Sequence, residues 1–341
     1  MAKRVTLDDI ASVVGVSKNT VSLALRNREG ISDAVRARIL RTAKELGYNT
    51  ARSQTTPPNG NILVLYPERL APLSEMSFHG TFSQLLICHM ERYAKQLGYC
   101  TVPYTVSLEE EQLGIRPAVL DTIDFIGIVS KEITSPAYAQ MLKKLELPTV
   151  VVEPAQMDTQ FSTIELCNTQ DAYRMTKYLI SMGHTRIQYF GECKYLLALW
   201  ERYSGYRLAM EEAGLAVLHN TYMDEAVTFQ SNSEELQRIR AAWEACDPKP
   251  TAILCGDDHV AYRTIRVLEQ LGVRIPQDVS ICGLQDLDMY SGEEMRLTSC
   301  IHPIKEIAET AIHMVTDGQP ASQRTIRFHS QPVYRDSVQR L

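Results

Sequence analysis

Apolar positions recur at helical spacing in three short stretches over residues 1–48. In "GVSKNTVSLALRN" Val21, Ala24 and Leu25 share one face, and Lys18, Asn19 and Ser22 share the other. In "DAVRARILRTAKELG" Val35, Ile39, Ala43 and Leu46 form a single stripe, with Gly47 placed to stop the helix. Thr6, Ser17 and Ser32 stand as N-caps ahead of the three helices, and Asp8 and Asp9 suit the positive end of the first. From Ile62 the pattern changes. The apolar runs "ILVLYP", "DFIGIVS", "PTVVVE", "RIQYFGE", "TAILCGD" and "DVSICGL" alternate with amphipathic stretches such as "FSQLLICHMERYAKQLGY" and "DAYRMTKYLISMGH". Strand and helix in alternation predict parallel sheets covered by helices on both faces, and the region is long enough for two such units.

The first two helices are joined by "VVGVS", which leaves room only for a tight corner. Gly15 can take the left-handed conformation that such a corner requires. Ala11 is small enough to let the second helix cross closely, and Val21 points back into the small core. These offsets are the steric skeleton of a helix-turn-helix, whose second helix enters the major groove N-terminus first. Lys18 and Asn19 then face base edges, because Lys donates to guanine and Asn pairs with adenine through two hydrogen bonds. Ser17, Thr20 and Ser22 are placed to meet phosphate. Taken singly, each of these side chains is explained as well by a solvated surface. As a set they favour DNA contact, and Thr6, Leu23, Arg26 and Arg52 complete the candidate face.

Charge sharpens this division. The chain has 341 residues and a net charge of −6. Residues 1–53 hold ten Lys and Arg against five Asp and Glu, a net +5, which leaves 25 against 36, a net −11, for the remainder. A small basic head on a large acidic body is what a chain shows when only one end meets phosphate. The start "MAKRVTLDDI" carries no signal-peptide pattern, no apolar run reaches the length of a membrane span, and the eight Cys are scattered singly. A cytoplasmic protein with free thiols is expected.

The stretches "VTLDDIASVVGVSKNTVSLAL" and "ISDAVRARILRTAKELGY" resemble the N-terminus of the LacI/GalR family of bacterial transcription regulators. The likeness continues through "YLISMGHTRIQYFGE", "ERYSGYRLAMEEAGL", "TAILCGDDHVA", "DVSICGLQD" and "PVYRDSV", so it spans nearly the whole chain. It implies an all-α helix-turn-helix head joined to a periplasmic-binding-protein-like α/β body of two doubly wound lobes. The implied limits are 1–48 for the head, 49–61 for the linker, 62–160 plus 302–322 for one lobe and 161–301 plus 323–341 for the other. It further implies a homodimer reading a palindromic operator on double-stranded DNA, with repression as the usual sign. One segment departs from the family, which follows its third helix with P-N-x-x-A-R-x-L, a hinge helix whose leucine wedges into the minor groove. Here "YNTARSQTTPPNGN" keeps Ala51 and Arg52 but puts Gln54 in the leucine position, and Pro57 and Pro58 would end a helix. A polar linker is expected. Leu23 also stands where the family often has a polar residue.

Ligands of doubly wound sheets sit beyond the C-terminal ends of the strands. Glu153, Glu192, Asp257, Asp258 and Gln285 all follow strands in this way, which points to a polar, hydroxyl-rich effector such as a sugar. The resemblance implies that Arg202 forks onto vicinal hydroxyls, that Asp258 and Glu153 hold effector-facing acidic positions, and that Asp257 and Gln285 replace a common Asn and Asp. It also puts Phe78 and His79 in an effector-facing loop, while Trp200 and Phe229 offer an apolar platform for a sugar ring. His184 belongs to a helix-stop turn. No metal or cofactor is expected, since phosphate-loop, dinucleotide, nucleophile-elbow and zinc motifs are absent from the sequence. A sugar-processing enzyme with a DNA-binding head would need two carboxylates flanking a glycosidic bond at ~5–9 Å, which adjacent Asp257 and Asp258 do not readily provide. A solute-binding protein would need a secretion signal and no basic head. A regulator without enzymatic activity is the expectation.

Overall fold

The computed structural model describes residues 6–25, 30–46, 59–68, 80–133, 135–193, 196–219, 221–223, 232–286, 296–317 and 322–341. Arg26, Gly47, Arg52, Gln54, Pro57, Pro58, Phe78, His79 and Phe229 lie outside them.

The head consists of α1 (Leu7–Val14), α2 (Lys18–Leu25) and α3 (Asp33–Glu45). Thr6 caps α1 by accepting the Asp9 N–H while the Asp9 carboxylate accepts from the Thr6 backbone, which satisfies two otherwise open donors. Gly15, at φ 74°, ends α1 and turns the chain toward α2. The three helices enclose Ile10, Ala11, Val14, Val21, Ala24, Leu25, Ile39 and Ala43. Two expectations are corrected here. Ser32 makes no side-chain capping bond, and Leu46 falls outside the core because α3 ends at Glu45 and the residue after it is exposed. Arginines tie the bundle instead: Arg38 donates to the Val14 carbonyl at 2.6 Å and Arg36 to the Ala24 carbonyl at 3.2 Å.

The body has two parallel sheets. The first runs β10-β5-β4-β3-β1-β2, with β1 (Gly60–Pro67), β2 (Tyr99–Val106), β3 (Phe125–Lys131), β4 (Thr149–Val152), β5 (Ser162–Leu166) and β10 (Thr325–Phe328). The second contains β6 (Ile187–Phe190), β7 (Ala252–Cys255) and β8 (Ser280–Cys282). A two-stranded antiparallel ribbon pairs β9 (Ser299–Ile301) with β11 (Gln331–Val333). Continuous apolar runs form the inner strands β1, β3, β4 and β7 because both sheet faces are covered there. Along β1, Ile62 and Val64 enter one core with α4 (Gly80–Gln96) and α11 (Ile304–Thr316), whereas Leu63 and Leu65 enter another with α6 (Pro136–Lys144). In the second lobe, Ile187 and Leu254 pack with α7 (Asn168–Ser181) and α8 (Leu197–Glu212), and Ile253 and Ile281 pack with α9 (Asn232–Ala245) and α10 (Asp258–Gln270). A short helix, α5 (Leu108–Leu113), follows β2.

Strand pairing moves two lobe boundaries. β5 and β10 both hydrogen-bond within the first sheet, so the chain crosses at Leu166–Asn168 and again at Phe328–Gln331, later than the expected positions near 160 and 322. The middle crossing lies at Ile301–Ile304, between β9 and α11. The strands that carry this shift lack a continuous apolar run. β10 is "TIRF", and β2, which contains Pro103, is likewise an edge strand where a missing N–H is tolerated.

Candidate functional site

In the head, Lys18 and Asn19 are exposed at the start of α2. Ser17 caps that helix, accepting the Thr20 N–H at 3.1 Å with its Oγ 2.8 Å from the Thr20 hydroxyl. Lys18 Nζ sits 2.8 Å from Asp8 Oδ2, both side chains more than half exposed. Such a surface pair contributes ~0–1 kcal/mol and opens easily when phosphate competes. Ser22 and Leu23 are half-buried on the flank, and Thr6 is committed to its cap. The exposed polar face of α2 is therefore contiguous and available.

The second site is the cleft between the lobes, with about 1030 Å³ of empty space counted out through its open mouth. Glu153, Glu192, Arg202, Asp257 and Gln285 line it. Glu153 directly follows β4 at φ 52°, and its Oε1 accepts the Leu166 N–H at 2.6 Å, so it also pins the first crossing. Burial pushes its carboxyl pKa up, while Lys131, the Leu166 N–H and Arg202 oppose the shift. Asn168 is the hub behind it. Its Oδ1 accepts from Arg202 Nε at 2.9 Å, and its Nδ2 lies 3.4 Å from Glu153 and 3.3 Å from Glu201. Arg202 Nη1 donates to the Gly256 carbonyl at 2.8 Å. Only 4% of Arg202 is exposed, so its guanidinium is held in a single orientation before any ligand arrives.

The neighbouring aspartates separate into two roles. Asp257 caps α10, accepting the Val260 N–H at 2.9 Å, and lines the cleft. Asp258 is 1% exposed and absent from the cleft wall. Its Oδ1 accepts from the backbones of Leu284 (2.7 Å) and Gln285 (2.9 Å) and from the Ser299 hydroxyl (2.6 Å), fixing the loop that presents Gln285. A Cβ on Gly283 would come within 2.0 Å of that same oxygen. Trp200 is 45% exposed and also stands outside the cleft wall, near Tyr203.

Several wall residues went unread in the sequence: Phe82, Lys131, Glu132, Tyr222, Glu235, His259 and His302. Lys131 is the last residue of β3 and Glu132 follows it, so both obey the same strand-end rule that singled out Glu153. The others come from helices and crossings that this rule does not reach. His184 is a staple, with Nδ1 3.1 Å from Thr251 and Nε2 3.1 Å from the Gln339 carbonyl, and burial lowers its pKa. Among the described residues no cluster of three His, Cys, Asp or Glu could hold a metal, and no helix is long and apolar enough to cross a membrane.

Residues 6–51 match the family described as bacterial regulatory proteins, lacI family, and residues 176–338 match the periplasmic binding protein-like domain. The chain is 25% identical to the HTH-type transcriptional repressor PurR of Vibrio vulnificus over 98% of its own length and 99% of that protein. It is 26% identical to the PurR of Vibrio campbellii over the same shares. Among solved structures, the transcriptional regulator CelR in complex with cellobiose superposes with a TM-score of 0.69 at 23% identity, covering 98% of this chain and 100% of the other. The lac repressor dimer bound to operator and the anti-inducer ONPF gives 0.70 at 17%, covering 99% and 100%. A LacI family regulator from Enterococcus faecium with bound ribose gives 0.65 at 21%, covering 82% and 99%. Its relatives are transcriptional regulators and not enzymes. Carrying both the helix-turn-helix head and the two-lobed body in their order, the chain belongs to the LacI family of bacterial DNA-binding regulators.

Proposed function

We propose that this regulator is a cytoplasmic repressor, active as a homodimer on a palindromic operator, and that a small hydroxyl-rich ligand, a sugar in the first instance, sets its affinity for DNA. The observation that carries the reading is the pre-set Arg202, fixed by Asn168 and the Gly256 carbonyl at the wall of a cleft that both lobes line. A fixed guanidinium among carboxylates suits vicinal hydroxyls, which accept from the first and donate to the second. The relatives named as repressors support the sign, and the cellobiose and ribose carried by two structural neighbours support the ligand class. In the head, Lys18 and Asn19 read bases, and Ser17, Thr20 and Ser22 meet phosphate. Ligand between the lobes favours one lobe orientation and thereby changes the spacing of the two heads, a population shift.

The test is a thermal-shift screen of monosaccharides, disaccharides and nucleosides on the full chain. Each hit is then assayed for its effect on binding to DNA selected from a random pool. A sugar that raises the melting temperature and alters DNA affinity supports the reading. A nucleoside that does so alone replaces the ligand class, and hits without effect on DNA remove the regulatory link.

A further inference from the structure

The arginine at the cleft wall is joined, through two side chains, to a second arginine on the edge strand of the first lobe. Arg327 lies on β10, directly across the strand pairing from Glu165 on β5. Its Nε donates to Glu165 Oε2 at 2.9 Å, and its Nη2 lies 2.8 Å from the same oxygen. The other Glu165 oxygen accepts from the Thr163 hydroxyl at 2.7 Å, so this carboxylate is held on both sides. The same Nη2 reaches Glu201 Oε1, on α8 of the second lobe, at 3.5 Å. Arg327 is half exposed, whereas the side chains of Glu165 and Glu201 are only 10% and 11% exposed. One cation therefore serves two largely buried carboxylates that belong to different lobes.

Glu201 continues the relay to Asn168, which is 3% exposed. A guanidinium only donates, so Asn168 must present its amide oxygen to Arg202 Nε, 2.9 Å away. Its NH2 group is thereby turned to Glu201 Oε2 at 3.3 Å and Glu153 Oε2 at 3.4 Å, which hold the amide from behind. The path Arg327–Glu201–Asn168–Arg202 thus runs from solvent to the cleft wall and passes between the lobes at its first step. Burial pushes the Glu201 carboxyl pKa up, and Asn168 and Arg327 oppose that shift. Removing Arg327 leaves Glu165 and Glu201 without their shared cation, in surroundings that favour the neutral acid. Glu201 then takes up a proton or turns toward solvent, and in either case Asn168 loses an anionic acceptor and Arg202 loses its fixed partner.

We propose that Arg327 is a positioning residue for the cleft, which acts through Glu201 and Asn168 to fix the Arg202 guanidinium and, by joining Glu165 to Glu201, ties the two lobes at the hinge. Its consequence for ligand binding rests on the cleft being the ligand site, whereas the relay is present without a ligand.

Two measurements on the full-length protein decide it. The first needs no ligand: hydrogen exchange of arginine Nε–H groups followed by nitrogen-15 NMR, with the Arg202 signal assigned by Arg202→Lys. In Arg327→Met the Arg202 Nε–H should exchange roughly fivefold faster or more, while the backbone amides of β6 and β7 keep their rates. The double variant Arg327→Met/Glu165→Leu also removes the carboxylate left unpaired in the first lobe, and its Arg202 exchange should stay fast. Return to the slow rate in that variant would make Arg327 a partner of Glu165 alone and overturns the proposal. An unchanged Arg202 rate in Arg327→Met, or equal acceleration at the β6 and β7 amides, overturns it as well. Where Arg327→Met does not fold, Arg327→Lys, which keeps the charge but loses the fork between two carboxylates, carries the same comparison. The second measurement takes thermal shifts from glucose, ribose and cellobiose. A shift seen in the unmodified protein should shrink in Arg327→Met and recover in part in Arg327→Lys, and an undiminished shift in Arg327→Met overturns the proposal. If none of the three sugars shifts the protein while the Arg202 exchange behaves as expected, the sugar reading of the cleft fails and the positioning assignment stands.

Discussion

The exposed face of α2 and the interlobe cleft recognise different things, and they are built in opposite ways. The α2 face comes from one contiguous stretch. Its side chains point into solvent, and its ion pair, Lys18 with Asp8, is exposed on both sides. The cleft draws on β3, β4, α4, α8, α9, α10 and the middle crossing, and its polar groups are mostly buried and already hydrogen-bonded. DNA brings its own charge and rigidity, so the head can leave its side chains free until contact. A small ligand brings few contacts, and the cleft has to hold its groups in position beforehand to avoid the cost of ordering them.

That contrast predicts effects of very different size. The largest falls on the support of the cleft. Gly205 on α8 lies where a Cβ would approach the Thr169 carbonyl oxygen to 2.0 Å, so Gly205→Val should force α7 and α8 apart. Calorimetry should show the body's transition lost or strongly lowered. A near-native transition would mean the two helices can separate cheaply. Next comes Arg202→Ala, which removes a buried cation from between Glu153, Asn168 and Glu201 and should cost about 3 kcal/mol in urea unfolding. Ligand shifts should disappear as well, while the full-length variant retains DNA binding in the absence of ligand. A loss well under 1 kcal/mol would show that the guanidinium is less embedded than its geometry indicates.

Acid gives the third effect. His302 is neutral in the folded body, held down to about 3, and an unfolded histidine titrates near the usual 6.5. Between those values the unfolded chain binds the extra proton, so this group's contribution to stability is present above pH 6.5 and is lost as pH falls toward 3. Urea midpoints of His302→Gln should therefore decline less steeply than those of the unmodified protein from pH 6.5 to 4.5. Parallel declines would mean the ring is solvated. Asn19→Ala comes next, with a change of about 1–3 kcal/mol in discrimination between operator and single-base variants and no change in melting temperature. Equal weakening on every sequence would reduce Asn19 to a backbone contact. Asp8→Ala should be smallest, a few tenths of a kcal/mol in stability, because solvent already screens the pair. Freed from Asp8, Lys18 should bind DNA slightly more tightly at low salt, and fluorescence anisotropy at two ionic strengths would reveal it.

Legibility in the sequence follows the same line. Thr6, Gly15, Ser17 and the core positions Ala11, Val21 and Ala24 were readable because caps, a left-handed corner and helical periodicity act within about ten residues. Strands buried on both faces were readable as apolar runs, and Glu153, Asp257 and Gln285 as polar residues just beyond such runs. Asp258 shows the limit of that rule. It occupies the same strand end as Asp257, yet its carboxylate turns inward to the Leu284–Gln285 backbone.

Sequence alone thus determined the three-helix head, the alternation that makes the body α/β and the polar character of the cleft, because each depends on interactions between near neighbours in the chain. Only the tertiary structure decided that β5 and β10 join the first sheet, that Asn168 links Glu153, Glu201 and Arg202, and that His302 meets Ser330. Those contacts join residues up to 162 positions apart, as between Thr163 and Thr325. Which of many polar residues meet over such a separation is settled by how sheets pair and lobes pack, and no local pattern records it.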